Sequence, residues 1–156
     1  MKLTDYLTDT AIALDLPASS KGDVLLRAAT LLSDEAVSVE EVHALLQERE
    51  RIASTGLGSG VAVPHAFCAD IAAPRVALMR TDAGVPFDAQ DGEPVRLVFG
   101  LLSPTRASGT HLKLLAAIAR SVRSAAVRQQ LLDAPDVAAA RETLTNVRLS
   151  RSRRVQ

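Results

Sequence analysis

The sequence predicts an α/β sandwich in which a single sheet lies between helices within one domain. Apolar runs of strand character occupy the middle of the chain, and 3.6-residue apolar periodicity marks both ends. The 156 residues are the length of one domain with one core. Nearly half of the residues are apolar, but Ala, Val and Leu dominate and aromatics are scarce, so there is no platform on which single-stranded bases could stack. The formal net charge is zero, so no overall field attracts nucleic acid or an anionic membrane. The lone cysteine, Cys68, rules out an internal disulfide framework and suits a reducing compartment. The opening "MKLTDYLTDTAIALDLP" carries Asp5, Asp9 and Asp15 among its apolar residues, which is not the pattern of a signal peptide. No run is long enough to cross a bilayer. The expectation is a soluble cytoplasmic protein without membrane insertion.

"SSKGDVLLRAATLLSD" puts Val24, Leu25, Ala28, Leu31 and Leu32 on one helical face, with Ser20 placed to cap the first turn. "SVEEVHALLQERER" predicts a second helix, with Ser38 and Glu41 at capping-box spacing and an apolar stripe of Val39, Val42, Leu45 and Leu46. His43 falls at the edge of that stripe and is read as a helix-surface residue without a role. A glycine-bearing loop with Gly56, Gly58 and Gly60 then leads into a short strand at 61–63. "RVALMR" and "PVRLVFGLLS" read as strands, and a minor strand is expected at 85–87 in the turn-rich segment between them. "THLKLLAAIARSVRS" predicts a helix buried over most of its circumference, with Lys113, Ala117 and Arg120 as its polar stripe and Thr110 as N-cap. "AAVRQQLLDAPDVAAARETLTNV" reads as two helices broken near Pro135. The domain is expected to span residues 1–147, followed by a basic, disordered tail at 148–156.

The stretch "STGLGSGVAVPHA" raises the functional question. Its glycines follow a helix and precede a strand, the reverse of a dinucleotide-binding turn, and no Gly-Lys-Ser/Thr follows them. They make either a plain connection or a segment whose backbone approaches a ligand closely. Pro64 fixes its own φ, removes an N–H and pushes Val63 into extended backbone, so the strand should end there with His65 held stiffly. A histidine so placed serves structure or serves as a nucleophile, and a nucleophilic ring must be neutral with its other nitrogen's proton on a fixed acceptor. His111, in the first turn of the next helix, stands where anions collect or simply packs beside Leu115. His65, Cys68 and His111 do not make a secure metal set, and no Gly-x-Ser-x-Gly elbow supports hydrolysis.

Several of these segments together resemble a known family. "ERERIASTGLGSGVAVPH", "VPFDAQDGEPVRLVFGLLSP", "THLKLLAAIARSV" and the early "SSKGDVLLRAATLL" are similar, in order over roughly the first 145 residues, to enzyme IIA domains of the bacterial phosphotransferase system, fructose/mannitol/nitrogen type. The resemblance implies a mixed parallel/antiparallel sheet flanked by helices on both faces. It implies that His65 accepts a phosphoryl group from an HPr-like carrier protein, that His111 supports the phosphorylated state and onward transfer, and that Arg49 stabilises charge. The loop of Ser54, Thr55, Gly56, Gly58 and Gly60 would bring backbone N–H groups to the phosphoryl group, and neither a metal nor a cofactor is called for. "PHAF" departs from relatives with glycine or a charged residue soon after the histidine, and makes the rim of the site more apolar. The phosphate would go to a IIB domain in sugar uptake or be used on a regulatory target. The stand-alone domain is read as the nitrogen-type regulator, with no nucleic-acid partner.

Overall fold

The computed structural model describes residues 1–149. Two 3-10 turns, Leu3–Tyr6 and Asp9–Ala11, lead into strand β1 (Ile12–Leu16), and helices α1 (Lys21–Leu32) and α2 (Val39–Ile52) follow. Next come the short strands β2 (Gly56–Gly58), β3 (Val61–Ala62) and β4 (His65–Cys68), and then the long β5 (Arg75–Val85) and β6 (Val95–Pro104). Helices α3 (Ser108–Arg123), α4 (Ala125–Asp133) and α5 (Val137–Leu144) close the chain. The six-stranded sheet runs β1-β5-β6-β3-β2, with β4 also on β6. It is mixed. β1 is parallel to β5, β3 and β4 are parallel to β6, and β5 with β6 and β2 with β3 are antiparallel.

The capping serines act as the sequence predicts. Ser20 Oγ accepts from Asp23 N–H at 3.1 Å and Ser38 Oγ from Glu41 N–H at 3.2 Å, each satisfying an otherwise orphaned first-turn donor. Along β6, side chains alternate between the two faces of the sheet. On one face, a Cβ at Gly100 would stand 3.0 Å from Leu32 of α1. On the other, Ser103 meets His111 of α3. Helices therefore cover both faces, as expected. The inner residues of β5 and β6, among them Leu78, Met79, Val98, Phe99, Leu101 and Leu102, are fully buried and form the middle of the core.

Outside the site, the structure departs from the sequence reading in several elements. The N-terminal segment, left without an element, supplies an edge strand, β1, that is parallel to β5. The segment expected to hold a minor strand at 85–87 instead extends β5 to Val85. A register irregularity between Arg80 and Val85 absorbs the turn-forming residues, and Phe87 lies outside any strand. Helix α3 starts before Thr110: its N-cap is Ala107, which makes no side-chain cap bond. Ala117 is buried, and α3 shows solvent a face of Leu112, Lys113, Ala116 and Arg123, so it is amphipathic and not buried nearly all round. Finally, Arg148 bridges to Lys2 and Leu149 is buried, so the fold continues past 147. The rest of the expected tail lies outside the described residues. Among the described residues, no helix is long and apolar enough to cross a membrane.

Candidate functional site

The site forms where one strand is interrupted. β3 and β4 pair with β6 in a single unbroken register, Val61 with Leu97, Ala62 with Val98, His65 with Leu101 and Ala66 with Leu102. The chain does not leave the sheet at Pro64. The proline carbonyl still accepts from Leu101 N–H at 3.0 Å, and only the N–H that proline lacks is missing from the ladder. The strand thus pauses at Pro64 and resumes at His65, which corrects the expectation that it stops there.

That pause determines the chemistry of His65. Val63 N–H donates to Thr55 O at 3.0 Å, so the polar edge of Val63 faces away from β6, and its carbonyl is free to accept from His65 Nδ1 at 2.8 Å. A carbonyl can only accept, so Nδ1 carries the hydrogen and the neutral ring leaves its lone pair on Nε2. Burial lowers the affinity of the ring for a second proton. The Val63 carbonyl opposes that effect, the Arg49 guanidinium adds to it and the Glu50 carboxylate opposes it, and the net shift is downward from 6.5. At neutral pH, His65 is a neutral imidazole with an available Nε2.

His65 and Phe67, two apart on β4, project from the same face and bracket His111. The ring centroids of His65 and His111 are 5.5 Å apart, and those of Phe67 and His111 4.3 Å. His111 N–H donates to Ala107 O within the helix, so the unpaired amides of the helix N-terminus lie before it in the chain. Its side chain, 3% exposed, joins Nδ1 to Ser103 Oγ at 2.7 Å. Burial first, and the neighbouring His65 second, lower its pKa to about 4. This has a measurable consequence. An unfolded imidazole takes up a proton near 6.5, whereas the folded one resists until about 4. Between those values the unfolded chain binds more protons, and stability falls as pH falls. His111→Gln is expected to flatten this part of the profile, read as the urea midpoint at pH 7 and pH 4.5. A variant as acid-sensitive as the parent overturns the assignment.

Arg49 lies on the α2 side of the same depression, a groove of about 410 Å³ shared by Arg49, His65, Phe67, His111 and Leu112. Arg49 Nη1 caps its own helix through Ala53 O at 2.9 Å, its one hydrogen bond among the described residues, which leaves further guanidinium donors for an anion. Three large apolar side chains stand open around the groove: Ile52 at 75% exposure, Leu112 at 66% and Phe67 at 41%.

The glycine loop is placed differently. Gly56–Gly58 and Val61–Ala62 form a hairpin whose turn carries positive φ at Gly58, Ser59 and Gly60, and a Cβ at Gly56 would stand 2.9 Å from that of Ala89. Thr55 N–H donates to Glu50, Gly56 N–H to Ser54 Oγ and Ser59 N–H to Asp91, so these three amides have internal acceptors. No residue from Ser54 to Gly60 lines the groove around His65. Here the glycines serve a tight turn. Cys68 is buried. His43, read as a surface residue, is partly buried, with Nε2 sealed and without a partner.

Two residues beside the site escaped the sequence reading. Glu50, 8% exposed, accepts from Thr55 N–H at 3.0 Å and from Thr55 Oγ1–H at 2.6 Å and pairs with Lys21 at 2.8 Å. Its signal was present, since Val42, Leu46 and Glu50 recur every four residues and place a carboxylate on the buried stripe. Ser103 ends the apolar run of β6, where a lone hydroxyl in a fully buried strand was the available cue.

A family model described as "Phosphoenolpyruvate-dependent sugar phosphotransferase system, EIIA 2" matches residues 5–147. The chain is 36% identical over 149 residues to a nitrogen regulatory protein of Pseudomonas aeruginosa, covering 94% of this chain and 97% of that one. It is 35% identical over 158 residues to a fructose-specific EIIA component of Haloferax volcanii, covering 94% and 99%. The crystal structure of nitrogen regulatory protein IIA-Ntr from Neisseria meningitidis superposes with a TM-score of 0.88 at 37% identity, covering 92% of this chain and 99% of that one.

Proposed function

The chain belongs to the EIIA 2 family of the phosphoenolpyruvate-dependent sugar phosphotransferase system and is a phosphoryl-transfer component of that system, and from this premise we propose that His65 Nε2 is the phosphoryl acceptor, loaded by an HPr-like carrier protein. The observation that carries the reading is the Nδ1–H bond to the Val63 carbonyl, which leaves Nε2 as the nucleophile of a neutral ring beside the groove. The Nε2 lone pair forms a bond to phosphorus as the N–P bond of the donor phosphohistidine breaks in line, and the donor ring keeps the electron pair of that bond. The acceptor ring gains positive charge, which strengthens its Nδ1–H bond to Val63, and no proton has to move during the step. Arg49 and His111 face the phosphoryl oxygens and take up their charge. The apolar rim of Ile52, Phe67 and Leu112 suits a protein donor that must press its own phosphohistidine into the groove.

We read the downstream role as regulation of the nitrogen type, supported by the likeness to IIA-Ntr of Neisseria meningitidis. A second reading, delivery to a IIB domain for sugar uptake, is favoured by the likeness to the fructose-specific EIIA component. Incubation with labelled phosphoenolpyruvate, enzyme I and an HPr-type protein is expected to give one acid-labile, base-stable phosphate per chain. Absence of label overturns the assignment. Efficient passage of that label to a IIB protein replaces the regulatory role with the uptake role.

A further inference from the structure

We propose that Ser103 is a positioning residue that holds His111 in the tautomer with hydrogen on Nε2, making the second imidazole a preset donor to the phosphoryl group. The proposal rests on the phosphocarrier reading above.

The His111 Nδ1 to Ser103 Oγ contact at 2.7 Å could run in either direction, and burial decides which. Ser103 is fully buried, and among the described residues its hydroxyl has no hydrogen-bond partner besides His111. If Nδ1–H donated, the serine proton would be sealed in the core without an acceptor. If the serine donates, its proton is satisfied and only spare oxygen lone pairs go unused, which is the cheaper arrangement. The neutral ring then carries its hydrogen on Nε2. That atom has no protein partner, yet it is not sealed either, since the only enclosed and unpartnered side-chain nitrogen or oxygen among the described residues is His43 Nε2. It is therefore open to a ligand. Phe67, 4.3 Å away with its plane tilted by 33°, packs against the ring and holds its plane, while the bond to Ser103 fixes which nitrogen faces the core.

The backbone geometry supports the same assignment. Phe67 and Ser103 are register partners across β4 and β6, two residues beyond the pairing of His65 with Leu101. The group that orients His111 and the group that accepts phosphate thus belong to one rigid stretch of sheet. His65 presents a lone pair and His111 a hydrogen to the same space, which suits an incoming phosphorus and one of its oxygens.

Long-range proton–nitrogen correlation spectra of the whole chain at neutral pH report which nitrogen of each histidine is protonated. For His111 we expect the Nε2–H form in the parent protein, a mixture of both forms in Ser103→Ala, and the parent form again in Ser103→Thr, which keeps the hydroxyl. Losing one hydrogen bond shifts the tautomer ratio about five- to tenfold, and the loading rate of His65 should fall with the fraction of His111 still in the Nε2–H form, about twofold for an even mixture. The KM for the phosphorylated donor protein should stay unchanged, because the outer rim is untouched. A parent His111 with hydrogen on Nδ1, or a Ser103→Ala spectrum and rate equal to the parent's, overturns the proposal. The tautomer needs no phosphoryl donor to be measured, so the two readings fail separately. Nε2–H on His111 without any label on His65 sinks the phosphocarrier reading and with it the role of Ser103 in transfer. Normal labelling with Nδ1–H on His111 sinks the positioning role alone.

Discussion

His65→Ala is expected to take up no phosphate at all, while remaining folded. The substitution removes Nε2, the proposed nucleophile, and the nearby His111 is a poor substitute for three separate reasons. It is 3% exposed, so its ring offers an incoming phosphorus far less room for in-line approach than that of His65. Its Nδ1 is engaged by Ser103, and burial holds its proton affinity lower still, with a pKa of about 4. A nucleophile of such low basicity attacks weakly. The structural cost is small by comparison. One hydrogen bond to a backbone carbonyl is lost, about 1 kcal/mol, which in a chain of this size moves the melting temperature by a few degrees. Complete loss of label with a melting temperature within about 5 °C of the parent's separates the chemical role from a folding role. Label retained at full stoichiometry would place the acceptor elsewhere and dismantle the assignment of His65, Arg49 and His111 as one site.

Most of the architecture was legible because the physics that builds it is local. Apolar periodicity located α1 and α2, and their serine caps marked where each begins. The continuous runs of β5 and β6 announced strands buried on both faces. What stayed hidden depends on partners distant in sequence. β1 is five residues long with Asp15 in its midst, and it is a strand only because β5 lies alongside. The start of α3 was placed late because Thr110 has the side chain of an N-cap, whereas the helix begins from Ala107 with Ser108 and Gly109 in its first turn. At the site, the proline and histidine were readable, but the consequence of the proline was not. A break that keeps the same register on β6 is a property of the neighbouring strand. The acceptor for His65 Nδ1 is likewise a carbonyl whose direction follows from the Thr55 to Val63 bond. The glycines were read as approach to a ligand when their positive φ values serve a hairpin turn, since a backbone that bends sharply and one that cradles an anion call for the same residues.

Glu50→Ala is expected to cost about 2–3 kcal/mol of stability and to slow loading of His65 as well. The carboxylate is buried where three groups converge, accepting both the N–H and the hydroxyl of Thr55 and pairing with Lys21. Burial alone would weaken the charge of Lys21. Glu50 and Asp88 more than restore it, so the ammonium is held above the usual lysine range and stays charged at neutral pH. Truncating Glu50 leaves a buried amide without an acceptor, a loss that water cannot make good at a position this enclosed, and leaves the partly exposed Lys21 ammonium to Asp88 and water. The catalytic effect travels by a short route. Thr55 receives the N–H of Val63, and the carbonyl of Val63 holds His65 Nδ1, so loosening Thr55 loosens the ring two hydrogen bonds away. Glu50→Gln tests that route without opening a cavity. It keeps an oxygen for the Thr55 N–H, and should therefore recover most of the loading rate while still losing the part of the stability that comes from the pair with Lys21. Denaturant titration and loading kinetics on the two variants separate the effects. Equal loading rates in Glu50→Ala and the parent would mean that the orientation of His65 is set by Pro64 and β6 alone, with no help from the carboxylate behind it.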